Sequence, residues 1–497
     1  MSNKSKAELD NEAKSLLQPL LERKAAGEKL SVKERLAIPA QEMPAQDPNV
    51  RNKNMSEVAL GYSEAQSRLE AERCLSCKNA PCVKGCPVGV DIPRFIGQIQ
   101  NGDFKAAVET IKETNLLPAV CGRVCPQEKQ CQLECTLGKS LKDVEKAVSI
   151  GRLERFVADW EREQGKVTVP TVKKASGKKI AVIGSGPAGL TVAADAARQG
   201  HQVTIFEAFH QPGGVMVYGI PEFRLPKAIV SAEVDILKSM GVKLETNYLV
   251  GRTRTIADFL NDDKFDAVFV GSGAGLPKFL GCPGENLVGV FSANEYLTRA
   301  NLMKAYETQK ADTPIYSSKI AMVIGGGNVA MDAARMAMRL GAASVHVIYR
   351  RTREEMPARA EEVAHAMEEG IVFDFLRNPN KFSGDDKGRV TGMELQKFEL
   401  GEPDASGRRS PVPIAGSEYM VECDTVIVAL GNESNPLISK TTAGLSTDKR
   451  GRILVNEEQK TSLDKVYAGG DIVLGAATVI LAMGEGRKAA AAMQGML

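Results

Sequence analysis

The sequence has few aromatic residues, few histidines and almost no net charge. It holds one tryptophan and four histidines in 497 residues, and its 64 lysines and arginines nearly balance 62 aspartates and glutamates. Such a balance provides no overall field to attract nucleic acid or an anionic membrane surface. No stretch reaches the apolar length needed to span a bilayer. We therefore expect no binding to nucleic acid or to membranes, and we expect partner recognition to be local.

Two further signals are absent from the sequence: an apolar signal core at the N-terminus and a metal-ligand spacing among the histidines. Residues Met1–Lys6 are polar and have no apolar signal core. Disulfide frameworks need an oxidising compartment, so we expect a reducing cytoplasm as the location of this chain. The histidines match no metal-ligand spacing, and they are His201, His210, His346 and His365.

Cysteine is concentrated in one segment. Eight of the ten cysteines are Cys74, Cys77, Cys82, Cys86, Cys121, Cys125, Cys131 and Cys135. Residues 74–87 read CxxCxxxxCxxxCP, a close variant of the two-cluster ferredoxin run in which the last cysteine before proline binds the other cluster. A zinc site would use two CxxC pairs, and this segment has one. The spacing predicts two 4Fe-4S clusters, and it leaves open whether Cys121 or Cys125 is a ligand.

A chain of this length predicts about three domains, and its 46 glycines with one tryptophan favour nucleotide-binding α/β architecture. Residues 1–60 are predicted to form an arm, with a helix interrupted at Pro19 and then an extended segment. The capping-box pattern Ser63–Gln66 predicts a helix that delivers Cys74 at its C-terminal end. A helical domain with two 4Fe-4S clusters is expected over residues 61–165.

A dinucleotide fingerprint follows a charged linker at residues 173–179. The strand Lys179–Ile183 precedes the glycine-rich turn Gly184–Gly189, then a helix and the strand Gln202–Phe206. Gly184 permits the tight turn, Gly186 admits the pyrophosphate and Gly189 allows close helix–strand packing. Glu207 at the strand end is placed to accept hydrogen bonds from ribose hydroxyls. The predicted contacts of this unit are Gly184, Gly186, Pro187, Ala188, Gly189 and Glu207.

A second unit has the opposite charge at the ribose position. It begins with the strand Lys319–Ile324 and the turn Gly325–Ala330, and its next strand ends in Arg350 and Arg351. Two guanidinium groups suit a 2′-phosphate, which predicts NADP(H) rather than NAD(H). The alternative is a solvated charge pair after an edge strand. The predicted contacts are Gly325, Gly327, Asn328, Val329, Arg350 and Arg351.

Two sites of opposite charge preference imply two different dinucleotides, and the first is expected to be FAD. A strand-end Asp471 after Gly470 can hold the ribityl chain, and Thr478 begins a helix that can face the flavin. Because this piece follows the NADP(H) unit, the FAD domain is predicted to be discontinuous. We expect FAD-binding parts at residues 175–300 and 425–497 around an NADPH-binding domain at 301–424. The predicted crossing points are Gly271–Gly273 and Ala429–Gly431.

From about residue 50 onward the chain resembles the family of glutamate synthase small (β) subunits. That family includes the large subunit of the NADH-dependent ferredoxin:NADP transhydrogenase, sulfide dehydrogenase and the N-terminal half of dihydropyrimidine dehydrogenase. The resemblance is carried by the motifs at Cys121–Pro126, Gly151–Arg155, Gly213–Gly214, Tyr218–Pro226, Gly325–Asp332, Tyr349–Arg351, Glu355–Pro357 and Ala468–Asp471.

The resemblance implies ligands that spacing alone does not provide. One cluster would be held by Cys74, Cys77, Cys82 and Cys135, and the other by Cys86, Cys125, Cys131 and Glu154. Cys121 then becomes a structural thiol. Gly214 and Arg224 are expected at the FAD, together with Gly470, Asp471 and Thr478.

The expected function is an NADPH oxidoreductase subunit. A hydride passes between NADPH and the flavin, and single electrons pass through the clusters to or from a partner subunit, without a catalytic base. The partner would be a glutamate synthase large subunit, giving a hetero-oligomer. An alternative is the large subunit of an electron-bifurcating transhydrogenase, whose partner would be a small flavin and iron–sulfur subunit or ferredoxin. This alternative is favoured by Asn328-Val329, which stands where glutamate synthase subunits frequently have Asp-Thr. A third possibility is a noncatalytic cofactor-bearing scaffold.

Overall fold

Two parallel sheets and a helical domain make up the architecture of this chain. The structure is a computed structural model that describes residues 4–165, 167–307, 309–405 and 407–497, so Met1–Asn3 of the predicted arm lie outside the described residues. The α-helices are α1 (Lys6–Ala25), α2 (Val32–Ala37), α3 (Pro48–Arg51), α4 (Glu64–Glu72), α5 (Pro81–Lys84), α6 (Ile92–Gln100), α7 (Phe104–Lys112), α8 (Pro118–Val124), α9 (Thr136–Leu141), α10 (Ile150–Glu163), α11 (Pro187–Arg198), α12 (Val215–Tyr218), α13 (Lys227–Ser239), α14 (Ile256–Asn261), α15 (Ala293–Asn301), α16 (Asn328–Arg339), α17 (Ala360–Glu368), α18 (Leu437–Thr441), α19 (Asp471–Leu474) and α20 (Val479–Met496). The strands are β1 (Lys179–Ile183), β2 (Gln202–Phe206), β3 (Lys243–Glu245), β4 (Ala267–Val270), β5 (Leu276–Pro277), β6 (Val290–Ser292), β7 (Ile320–Ile324), β8 (Ser344–Tyr349), β9 (Val372–Phe375), β10 (Arg377–Gly384), β11 (Val390–Pro403), β12 (Arg409–Pro413), β13 (Tyr419–Glu422), β14 (Thr425–Val428), β15 (Asn432–Glu433) and β16 (Val466–Ala468).

The N-terminal arm begins with an unbroken helix. Ser5 caps α1 in a capping box, and Leu9, Ala13 and Leu17 bury one face of the helix against α4. The predicted interruption at Pro19 is wrong. Proline removes one helical hydrogen bond, but Pro19 lies on the exposed face, where water can bond the freed carbonyl, and the buried stripe of α1 stays intact.

Helices α4 to α10 form the helical domain that is predicted to hold the clusters. Ser63 caps α4 through the predicted capping box, and the helix ends at Glu72, two residues before Cys74. Fully buried apolar side chains from α6, α7 and α10 form its core, with Ile99, Val108 and Leu153 as examples. The same core continues into helices α11 and α20, so the helical domain packs directly on the first dinucleotide unit.

The first sheet has the strand order β16-β4-β1-β2-β3, and all of its pairs are parallel. Strands β1 and β4 are apolar and buried, as expected for a sheet covered by helices on both faces. Strand β16 comes from the end of the chain and pairs with β4. The first dinucleotide unit is therefore discontinuous, as predicted.

The second sheet has the order β6-β14-β7-β8-β9 and is also parallel throughout. Strand β6 and almost all of helix α15 precede residue 301, yet they belong to this sheet and its core. The short antiparallel pair β5–β15 lies where the chain passes between the two units, immediately after both predicted crossing points. An antiparallel group, β10 to β13, extends the second unit and was not predicted.

Every helix in the described ranges is too short or too polar to cross a membrane. All ten cysteines are free thiols.

Candidate functional site

Four thiols surround one small enclosed cavity in the helical domain. They are Cys74, Cys77, Cys82 and Cys135, and apolar side chains such as Ile92, Ile96 and Val148 complete the lining. Burial, and then the neighbouring thiols, raise the pKa of Cys74 to about 11 and that of Cys82 to about 12. Thiols in such a setting become thiolates when they bind a metal centre. These are the four cysteines that the resemblance assigns to one cluster.

The backbone around this cavity is strained at two positions. Ser76 and Ala80 both have positive φ, at 49° and 36°, between the first cysteine of the set and the third. Residues other than glycine rarely adopt this conformation, and it is concentrated at functional sites. The strain turns a nine-residue loop tightly enough for three of its thiols to face one space.

A second group of thiols lies around a buried carboxylate. The pKa of Cys131 is raised by burial and by Cys125, Cys86 and Glu154, which places these four side chains close together. Burial raises the pKa of Glu154 to about 8, and Asn115 donates a 2.6 Å hydrogen bond to its Oε1. Neither thiol group forms a site for one ion, however: across the described residues, no three His, Cys, Asp or Glu side chains are grouped so that they could bind a single metal ion.

Cys121 lies beside the second thiol group, hydrogen-bonded to Cys125, and also contacts the first dinucleotide unit. Its Sγ lies 3.6 Å from Sδ of Met483 and 3.7 Å from Oδ1 of Asn115, and the residue is fully buried. Met483 belongs to α20, in the first dinucleotide unit. Cys121 therefore packs at the junction of two domains.

The first glycine-rich turn is held by the predicted acidic residue. Oε2 of Glu207 accepts hydrogen bonds from the backbone N–H of Ser185 at 2.9 Å and from its hydroxyl at 2.5 Å. A Cβ on Gly189 would lie 2.0 Å from the carbonyl oxygen of Gly184, so only glycine fits at this helix–strand contact. A Cβ on Gly186 would meet open space. The turn thus leaves its second glycine free for a ligand at the N-terminus of α11.

The distant C-terminal piece meets this turn through small residues. A Cβ on Gly470 would lie 3.1 Å from Cβ of Ala188, and a Cβ on Gly214 would lie 2.8 Å from Cα of Gly186. Burial raises the pKa of Asp471 to about 6, and its Oδ1 accepts a 3.3 Å hydrogen bond from the N–H of Ala477. The structure therefore brings Gly186, Gly214 and Gly470, predicted FAD contacts from three parts of the chain, to one place. Pro187 occupies the first turn of α11.

Tyr218 is a residue of this site that the predicted contacts omitted. Its pKa is raised to about 12 by burial and then by the negative charges of Asp471 and Glu207, the two acidic residues of the predicted FAD site. The tyrosine stands inside the motif Tyr218–Pro226, and that motif was the available signal.

Helix α20 connects the flavin site to the second thiol group. Its N-cap is Thr478, whose hydroxyl accepts a 3.4 Å hydrogen bond from the side chain of Gln130, next to Cys131. Six residues further on, a Cβ on Gly484 would lie 3.0 Å from the carbonyl oxygen of Pro87, next to Cys86. The residues that flank the second group thus lie against the helix that begins at the flavin site.

The second glycine-rich turn is covered by a loop. Gly327 caps the N-terminus of α16, and Oδ1 of Asn328 accepts a 2.9 Å hydrogen bond from the N–H of Arg359. A Cβ on Gly325 would lie 2.4 Å from the carbonyl oxygen of Ala429, at the end of β14. Val329 in the first turn of α16 is exposed. The predicted NADP(H) turn therefore repeats the close approach of the first turn, where a Cβ on Gly184 would lie 2.5 Å from the carbonyl oxygen of Gly271, and the loop that carries Arg359 lies over its helix N-terminus.

The two arginines after β8 differ in their surroundings. Arg350 is exposed, whereas Arg351 is 6 % exposed and is engaged within the protein. The guanidinium of Arg351 donates 2.7 Å hydrogen bonds to Oδ2 of Asp404 and to the carbonyl oxygen of Arg409. Arg350 is the better placed of the two for a coenzyme phosphate.

Arg224, predicted at the FAD, has its guanidinium bonded to side chains of the second unit. It contacts Asp332 and Glu362 of the second unit, at 2.6 Å and 3.2 Å. The resemblance placed Arg224 by its motif, and the motif does not reveal carboxylates that lie more than a hundred residues away in sequence.

Two family models match the chain. Residues 178–494 match the family described as pyridine nucleotide-disulphide oxidoreductase, and residues 51–166 match the domain described as dihydropyrimidine dehydrogenase domain II, 4Fe-4S cluster. FprA of Mycobacterium tuberculosis in complex with NADPH shares the fold, with a TM-score of 0.54 and 21% identity over 64% of this chain and 84% of that chain. Fold and site thus define a pyridine nucleotide oxidoreductase fused to an iron–sulfur domain.

Individual relatives narrow this class. The small chain of NADPH glutamate synthase of Halomonas elongata is 38% identical over 89% of this chain and 94% of its own length. The β subunit of an NADP⁺-dependent formate dehydrogenase of Moorella thermoacetica is 39% identical over 83% of this chain, which spans 59% of that longer protein. The chain belongs to the family of glutamate synthase small chains. These matches confirm the predicted family, enzyme class and cofactor set of FAD, NADP(H) and 4Fe-4S clusters.

Proposed function

We propose that this chain is the electron-transfer subunit of an NADPH-dependent enzyme, in which electrons pass between NADPH, FAD, two 4Fe-4S clusters and a partner subunit. One observation carries the proposal: α20 begins at the flavin site and contacts the segments that flank the second thiol group. A continuous route then runs from one cofactor region to the next.

The residues fit these cofactors. Cys74, Cys77, Cys82 and Cys135 would hold the cluster of the enclosed cavity. Cys86, Cys125, Cys131 and Glu154 would hold the second, which lies nearer to the flavin site. Cys121 stays a structural thiol in this proposal, as the family resemblance implies, with Met483 and Cys125 as its neighbours. An oxygen ligand changes the potential of a cluster, so the two clusters should differ in potential.

The dinucleotide units would each hold one coenzyme. The N-terminus of α11 would hold the pyrophosphate of FAD, and the N-terminus of α16 would hold that of NADPH. When bound, FAD accepts a hydride from NADPH and passes electrons on singly. Tyr218 would lie at the FAD site, since the charges of both Asp471 and Glu207 act on its hydroxyl. In this proposal residues 61–165 carry the clusters, and β6 and α15 join residues 301–424 as the NADP(H) unit.

The partner is proposed from the relatives. A large glutamate synthase subunit is the first candidate, because the Halomonas relative is a small chain of that enzyme. A transhydrogenase with a small flavin and iron–sulfur partner is the second candidate, favoured by Asn328 at the second turn, where it bonds Arg359.

Anaerobic purification of the full chain from its native source, with identification of bound subunits, tests the proposal. A glutaminase-bearing large subunit supports the first candidate, and a small flavin and iron–sulfur subunit supports the second. A chain that purifies alone, and that contains flavin and iron but does not oxidise NADPH with a viologen acceptor, contradicts both.

A further inference from the structure

We propose that Arg224 is a positioning residue whose ion pairs with Asp332 and Glu362 hold the NADP(H) unit against the FAD unit. We call this interdomain contact the lock, and we propose that the N-terminal arm completes it. The inference rests on the proposed function, since it concerns how the two coenzyme sites are held in register.

The lock begins with a buried ion pair between the units. Nη1 of Arg224 lies 2.6 Å and 2.7 Å from the two carboxylate oxygens of Asp332 in α16. Its Nε lies 3.2 Å from Oε1 of Glu362 in α17. The three side chains are each at most 7 % exposed. Buried charges of this kind are stable only when each has its partner in place.

The neighbouring Phe223 adds cation–π contacts with two arginines of the second unit. Its fully buried ring lies under the guanidinium groups of Arg335 and Arg339, at 4.8 Å and 3.9 Å from the ring centroid. Glu369 receives hydrogen bonds from both arginines, at 2.7 Å to 3.1 Å. Cation–π contacts gain strength when they are desolvated.

The N-terminal arm is hydrogen-bonded to these residues. The N–H of Val58 donates a 2.9 Å hydrogen bond to the carbonyl oxygen of Phe223, which ties the arm to the first unit. Arg51 is 1 % exposed, and it bonds Oε1 of Glu369 at 2.9 Å and Oε2 of Glu368 at 2.7 Å, which ties the arm to the second. The carbonyl oxygen of Asn54 accepts a 3.0 Å hydrogen bond from Arg339. One short segment of the arm therefore bridges both units.

The lock joins the two elements that meet the coenzymes. Asp332 lies one turn after Asn328, in the helix whose N-terminus forms the second nucleotide turn. Arg224 follows Tyr218 on the loop that enters the flavin site, and Asn301 of the second unit donates hydrogen bonds to the carbonyls of Tyr218 and Gly219. Hydride transfer depends on alignment of the reacting atoms, and a shift of about 1 Å can cost on the order of a hundredfold in rate.

The test compares Arg224→Gln, Asp332→Asn and a control, Arg254→Gln, in the full cofactor-loaded chain. Arg254 pairs with Asp263 on the surface of the first unit, away from the lock. Hydrogen-exchange mass spectrometry reports opening of the lock without reference to activity. Single-turnover reduction of the flavin at saturating NADPH reports alignment.

We expect faster exchange in residues 45–60, 219–226 and 328–339 of both lock variants, with β1 and β2 unchanged. Flavin reduction should slow by about tenfold to a hundredfold, and Arg224→Lys should recover part of the rate. The control should match the wild type in both measurements. Unchanged exchange in the lock segments, or an equal rise in β1 and β2, overturns the proposal. If NADPH does not reduce the flavin of the wild-type protein, the proposed function is contradicted. The hydrogen-exchange result would still show whether Arg224 holds the two units together.

Discussion

Replacing Arg350 with alanine is the sharpest test of the coenzyme site. Arg350 is exposed directly after β8, where a 2′-phosphate would lie. A hydrogen bond to a charged group contributes about 1.5–3 kcal/mol, and each 1.4 kcal/mol is about tenfold in affinity. The Michaelis constant for NADPH should therefore rise roughly ten- to a hundredfold. That for NADH, which lacks the phosphate, should stay the same.

Arg351→Ala is the matched comparison. Because Arg351 is bonded to Asp404 and to the carbonyl of Arg409, its loss should loosen the link between β8 and the hairpin of β11 and β12. We expect a lower thermal midpoint and equal changes for NADPH and NADH. Steady-state viologen reduction with each coenzyme measures both variants. Equal effects of Arg350→Ala on the two coenzymes, or a selective loss of NADPH with Arg351→Ala, would refute this reasoning.

Three further predictions concern the clusters, the FAD turn and acid stability. Cys82→Ser should lower the iron content of anaerobically reconstituted protein from about eight atoms to about four, and Cys121→Ser should leave it unchanged. Gly189→Ala should abolish FAD binding, measured by flavin absorbance, because its Cβ would lie 2.0 Å from a carbonyl oxygen. Burial opposes ionisation of Glu369, but Arg335 and Arg339 outweigh it and lower the pKa of Glu369 to about 2 from its ordinary 4.5. The stability that the ionised Glu369 carboxylate contributes is therefore fully present above pH 4.5 and is lost as the pH falls towards 2. Glu369→Gln should lower the free energy of unfolding by ~3–5 kcal/mol at neutral pH. An unchanged denaturation midpoint in this variant would contradict the prediction.

The glycine-rich units could be predicted from sequence because their constraints are local. Strand β1 and strand β2 have the predicted bounds, and α11 follows the predicted turn. At Gly189 the close approach involves residues five apart, so the motif itself carries the information. The antiparallel strands β10 to β13 were missed because β11 is partly exposed on both faces over much of its length and lacks a clear alternation.

Long-range partners could not be predicted. The motif Tyr218–Pro226 contains Arg224, but only the fold brings Asp332 to it. Spacing likewise left Cys121 and Cys125 equivalent, and the contact of Cys121 with Met483 joins residues 362 apart in sequence. The helix through Pro19 follows from burial on its opposite face, which a search for helix-breaking residues does not consider.

The central claim is that electrons from NADPH pass through a flavin to two 4Fe-4S clusters held by this chain. Stepwise anaerobic titration of the reconstituted protein with NADPH, followed by visible absorption and low-temperature EPR, tests it most directly. We predict bleaching of the flavin together with signals from two reduced or partly reduced iron–sulfur centres of different potential, in protein that holds about eight iron atoms. Protein with about four iron atoms or fewer, or with a flavin that NADPH reduces while the clusters stay oxidised even in the presence of a strong reductant, would contradict the account.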